Sequence, residues 1–98
     1  MIEITLSENN KEYEISASGH SGYAPIGEDI VCSAVTAVMT FLVSASAVTN
    51  GKLLEMKNGL ISVILPKTKE TELIIESFII TVDTMRIRYG KWINFSHT

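Results

Sequence analysis

Charge is what this chain of 98 residues has least of: Asp, Glu, Lys and Arg together make up 19 %, against roughly 25 % in an ordinary soluble domain. With an apolar share of 46 % beside it, part of the surface is expected to be covered by a partner. The eight basic residues are scattered and the net charge is −3. That argues against a nucleic-acid-binding face, where clustered Lys and Arg replace phosphate counterions. A single cysteine excludes an internal disulfide and fits a reducing cytoplasm. There is no Cys-x-x-Cys or His-x-x-x-His pair. A zinc site would have only His20, Asp29 and Cys32 to draw on and would lack a fourth protein ligand, so no metal and no cofactor are expected. Nothing at the N-terminus resembles the charged and then apolar segments of a targeting peptide.

The lack of charge is concentrated between Ile30 and Asn50, a stretch without one Asp, Glu, Lys or Arg. It is about as long as a bilayer crossing requires. Ser33, Thr36, Thr40, Ser44, Ser46 and Thr49 make it too polar for a lone span, and amphipathic strands flank it, so no membrane is expected.

What is present is a regular alternation of elements in a single domain over residues 1–98. Ile2, Ile4 and Leu6 alternate with Glu3, Thr5 and Ser7, the period of a half-buried strand. After a turn at Glu8 to Lys11, Tyr13, Ile15 and Ala17 alternate in the same way, so the first eighteen residues read as a hairpin. Asp29 suits the N-cap of a helix beginning at Ile30. At about 100° per residue its core stripe is Val31, Ala34, Val35, Val38, Phe41, Leu42 and Ala45, with Cys32, Met39 and Val43 flanking it. Ser33, Thr36, Thr40 and Ser44 lie opposite, an uncharged face fit to meet a second subunit or simply to be solvated. Asn50-Gly51 closes the helix. Leu53 to Lys57 and Leu60 to Leu65 form a hairpin across Asn58-Gly59. Lys69 to Tyr89 returns to helical spacing, with Thr68 as its cap, Ile74, Phe78, Val82, Met85 and Tyr89 inward, and Gly90 as its stop. Lys91 to Phe95 is a last short strand, and His97 a solvated tail residue. The order ββαββαβ predicts an α+β domain, a mostly antiparallel five-stranded sheet packed with two helices.

Chemistry concentrates between Gly19 and Val35, where one of the two histidines and the only cysteine are joined by a loop punctuated by Gly19, Gly22 and Gly27. A thiol attacks as its thiolate. In the first turn of a helix Cys32 meets the positive end of the dipole, and His20 can supply an imidazolium beside it. Asp29 has two roles open to it, as helix cap or as the partner that orients the imidazole. A buried, inert cysteine is the plain alternative.

Gly19-His20-Ser21-Gly22-Tyr23-Ala24, followed by Gly27-Glu28-Asp29-Ile30-Val31-Cys32, resembles the ribosomal-processing cysteine protease family known as Prp. The resemblance extends over nearly the whole chain, in length, element order and the uncharged first helix. It implies a bacterial cytoplasmic endopeptidase that removes the N-terminal extension of a ribosomal protein precursor, large-subunit protein twenty-seven. It implies Cys32 as nucleophile, His20 as general base and then acid, Asp29 as an assisting residue, and a homodimer. Such substrates present an apolar segment with phenylalanine just before the cut. Gly19, Gly22, Tyr23, Ile26 and Gly27 then form a substrate-binding loop. The family pattern commonly has alanine where Ser21 and Ser33 stand, and Tyr-Pro where this chain has Tyr89-Gly90. A non-enzymatic ribosome-assembly or peptide-binding module, with an incidental cysteine, is the competing reading.

Overall fold

The computed structural model describes every residue except Ile26. Five strands and two helices follow in the order expected: β1 (Ile2–Glu8), β2 (Glu12–Ser18), α1 (Ile30–Val48), β3 (Lys52–Lys57), β4 (Leu60–Pro66), α2 (Lys69–Tyr89) and β5 (Ile93–His97). They make an α+β fold with one sheet in the order β3-β4-β2-β1-β5. Every pairing is antiparallel except β1 with β5, which run parallel.

Register carries the alternation seen in the sequence across the sheet. Ile4 stands opposite Ala17 and Leu6 opposite Ile15, while Ile15 faces Val63 and Ala17 faces Ile61 on β4. All six are buried on one face, and both helices contribute to the same core. A one-residue slip would send this whole set to solvent, which is why the register is fixed.

The helix limits follow from local capping. Asp29 accepts from the Cys32 amide at 2.9 Å and starts α1. Thr68 and Thr71 form a reciprocal capping box at the start of α2. α1 ends one step differently from the expectation. Asn50 takes the left-handed conformation at φ 59°, and Gly51 donates back to the Ser46 carbonyl at 2.8 Å, a Schellman-type closure in which Asn fills the usual glycine position.

The buried stripe of α1 is also rotated from the expected one. Met39 is fully enclosed, whereas Phe41 is 61 % exposed. The contact with the sheet runs through Val31, Val35, Met39, Leu42 and Ser46, steps of four and three along one ridge. Phe41 stands about 200° around the helix from Met39. β5 begins two residues later than expected, because the Ile2 amide pairs with the Trp92 carbonyl at 2.9 Å and the ladder opens only from Ile93. His97 is therefore a strand residue opposite Leu6, with Nε2 3.8 Å from the Glu8 carboxylate. α1 is long and apolar enough to cross a membrane by length and composition; here its ridge seals the sheet.

Candidate active site

β2 delivers the chain to the site at Ser18, beside the β3–β4 turn. The Gly19 amide donates to the Gly59 carbonyl at 2.9 Å and ties the exit to that turn. Gly19 has φ +89°, and a Cβ there would stand 2.8 Å from the Met1 carbonyl oxygen, so the backbone approach requires glycine. The Met1 nitrogen donates to the His20 carbonyl at 2.7 Å, fixing the next residue as well. The His20 ring is exposed and lies against Gly59, with Nε2 3.3 Å from where a Gly59 Cβ would be.

On the other side of the loop α1 presents Cys32 in its first turn, half-buried and free. Its Sγ accepts from the Ser21 amide at 3.3 Å. Asp29, 8 % exposed, spends both carboxylate oxygens locally. One takes the Cys32 amide and the other accepts from the Ser21 hydroxyl. Its carboxyl is held down to about 2, from an ordinary 3.8. Burial is the largest single influence and pushes upward; donation from the Ser21 hydroxyl, the Cys32 and Ala24 amides and the Cys32 thiol together outweighs it. Among the described residues no hydrogen bond joins Asp29 to His20, or His20 to Cys32.

Two adjoining recesses organise these groups. The larger, about 340 Å³, is walled chiefly by apolar side chains, among them Ile2, Ala17, Val35, Met39, Met56 and Ile61. The smaller, about 220 Å³, lies under the loop and is lined by Gly22, Ala24, Gly27, Asp29 and Ser33. Three residues line both: His20, Cys32 and Asn58. A peptide lying along the two recesses would therefore pass the sulfur and the imidazole at their junction.

Of the loop residues named from the sequence, Gly19 borders the larger recess and Gly22 and Gly27 the smaller. Tyr23 lines neither. Its ring packs edge-on against Trp92 and Tyr89, at centroid separations of 4.9 and 5.9 Å, and fastens the loop to the end of α2. Ile26 lies outside the described residues. Two positions escaped the sequence reading. Ser21 is buried, donates to Asp29, and accepts from the Tyr23 amide at 3.1 Å; the Ser-x-Tyr spacing of that local turn was its only signal. Asn58 carried only its turn signal. Among the described residues no group of three or more His, Cys, Asp or Glu side chains is placed to hold a metal ion.

The family model for the cysteine protease Prp matches residues 1–94. The chain belongs to that family. No curated protein matches it. Among solved structures, it is similar to the essential ribosomal processing protease Prp of S. aureus in complex with a covalently linked product peptide. That pair is 23 % identical, with a TM-score of 0.84 over 100 % of both chains. The same S. aureus protease with a substrate peptide gives 20 % identity and a TM-score of 0.74, again over 100 % of each chain. A hypothetical protein from Staphylococcus aureus gives 17 % and 0.70 over 100 % of each. At these identities the likeness is one of fold, and it spans the whole Prp domain.

Proposed function

We propose that this Prp-family cysteine protease removes the N-terminal extension of a bacterial ribosomal protein precursor, large-subunit protein twenty-seven, in the cytoplasm. The observation that carries the reading is the shared position of His20 and Cys32, which line both recesses and so meet whatever peptide bond spans them. The S. aureus relatives bound to substrate and product peptides support a peptide partner.

The chemistry follows from that placement. His20 takes the proton of the Cys32 thiol, and the sulfur bonds to the scissile carbonyl carbon as the carbonyl electron pair moves onto oxygen. When that pair returns, the C–N bond breaks, and the imidazolium gives its proton to the leaving amine. A thioester remains on Cys32. Water, deprotonated by His20, attacks the thioester carbon; the carbon–sulfur bond breaks, the new carboxyl end leaves, and the Cys32 sulfur takes back the proton from His20. The apolar recess takes the phenylalanine that precedes the cut. The glycine-rich recess takes the residues that follow it, where little side-chain bulk stands in the way. His20 and Cys32 come into hydrogen-bond reach as the peptide settles and the loop closes over it. Asp29 serves as a positioning residue, since its two oxygens fix Ser21 and the first turn that carries Cys32.

We also propose that the protein works as a homodimer through α1. The outer face of that helix is uncharged, with Phe41 61 % and Val48 83 % exposed two turns apart on one side, an apolar surface that a second copy could cover.

The test is to incubate the protein with a peptide spanning the precursor extension and follow fragments by mass. Cleavage after the phenylalanine by the wild type and none by Cys32→Ala supports the reading; equal product from both ends it, and points to the peptide-binding module instead.

A further inference from the structure

Attack by Cys32 creates an oxyanion, and three of the main-chain donors around Cys32 are already engaged. The amide of the nucleophile itself is the obvious candidate, but it donates to Asp29 Oδ1 at 2.9 Å. The Ser33 amide donates to the Asp29 carbonyl at 3.1 Å, and the Ser21 amide to Cys32 Sγ at 3.3 Å. These three main-chain donors beside the sulfur in the fold are thus committed. An uncompensated oxyanion in a partly desolvated cleft is costly, so a side-chain donor at the junction would lower the barrier.

Asn58 stands at the right place for it. It is the one residue, besides His20 and Cys32, that lines both recesses, and the scissile bond must lie at their junction. Its side chain is exposed and makes no hydrogen bond among the described residues, so its carboxamide is uncommitted. Nor does the backbone require asparagine there. In the β3–β4 turn the left-handed conformation falls on Gly59 alone, φ +81°, as in a type II turn, whose first central residue has ordinary negative φ. Further, the Gly19 to Gly59 hydrogen bond and the contact of His20 with Gly59 hold this turn to the site at a fixed distance.

Resting on the protease reading above, we propose that Asn58 is a catalytic residue whose side-chain amide donates to the oxyanion formed when Cys32 attacks the scissile carbonyl. The sulfur–carbon bond forms and the carbonyl pair moves to oxygen, where an Asn58 Nδ2 proton is shared in a hydrogen bond without being transferred. On collapse the pair returns, the leaving amine departs with the proton held by His20, and Asn58 is unchanged.

The experiment compares wild type, Asn58→Ala and Asn58→Asp on the precursor peptide, with the alkylation rate of Cys32 by iodoacetamide as the second readout. Alkylation displaces iodide from a saturated carbon and builds no oxyanion. The proposal expects kcat to fall about 100-fold or more in both variants, with KM changed little, while Asn58→Ala alkylates at the wild-type rate. A wild-type kcat in Asn58→Ala overturns the assignment, as does a loss of kcat matched by an equal loss of alkylation rate, which would mark a merely structural role. If the wild type itself fails to cleave, the protease reading falls and Asn58 with it; if it cleaves, only the role of Asn58 is at stake.

Discussion

The hydroxyl of Ser21 donates to the Asp29 carboxylate while the amide of the same serine donates to Cys32 Sγ at 3.3 Å. One residue thus links the loop that follows His20 to the helix cap and to the Cys32 sulfur. Ser21→Ala removes the hydroxyl and keeps the amide. The expected result is an Asp29 carboxyl whose pKa moves up from about 2 towards 3.8, read by NMR titration, with a lower cleavage rate. An unmoved Asp29 titration would show that the hydroxyl does not hold the carboxylate.

Asp29 also makes stability depend on acid. Its folded value is depressed below the ordinary one, so its contribution is complete above 3.8 and is lost as the pH falls through about 2. Melting temperatures of wild type and Asp29→Asn should differ by a constant amount from neutrality down to mildly acidic pH, then converge below it. A gap that stays constant down to pH 2 would contradict the assignment.

Gly59→Ala places a Cβ at φ +81° and 3.3 Å from His20 Nε2. The left-handed backbone alone should cost about 1–2 kcal/mol, visible as a lower denaturation midpoint. The displaced imidazole should lower kcat beyond what the stability loss explains. An unchanged cleavage rate in a folded variant would separate His20 from the turn.

For the homodimer, Phe41→Glu puts a charge in the middle of the uncharged α1 face. Light scattering at micromolar concentration should give two chains for the wild type and one for the variant. One chain for the wild type removes the proposal.

How much of this was legible beforehand follows from where the determinants lie. The two helix starts could be read because Asp29 and Thr68 act within one turn of themselves. The strand faces could be read because alternation is local. What could not be read depends on residues far apart. The exchange of Phe41 for Met39 in the core was set by the ridge of α1 that meets the twisted sheet, a choice invisible to a helix considered alone. The late start of β5 depends on its parallel pairing with β1 at the other end of the chain. At the site, His20, Cys32 and Asp29 stood out as rare residues in a glycine-punctuated loop. Asn58 did not, because an asparagine before a glycine is already explained by its turn. Only the folded hairpin brings it to the two recesses that His20 and Cys32 also line.

The central claim is that Cys32, assisted by His20, forms a covalent bond to the carbonyl of the cleaved peptide. The direct measurement is intact mass of the protein, acid-quenched early after mixing with the precursor peptide and then mapped by digestion. The account predicts an adduct equal to the extension peptide in thioester linkage, located on Cys32, present in the wild type and missing from Cys32→Ala and His20→Ala. Product formation with no adduct on Cys32 at any time, and undiminished in Cys32→Ala, would contradict it.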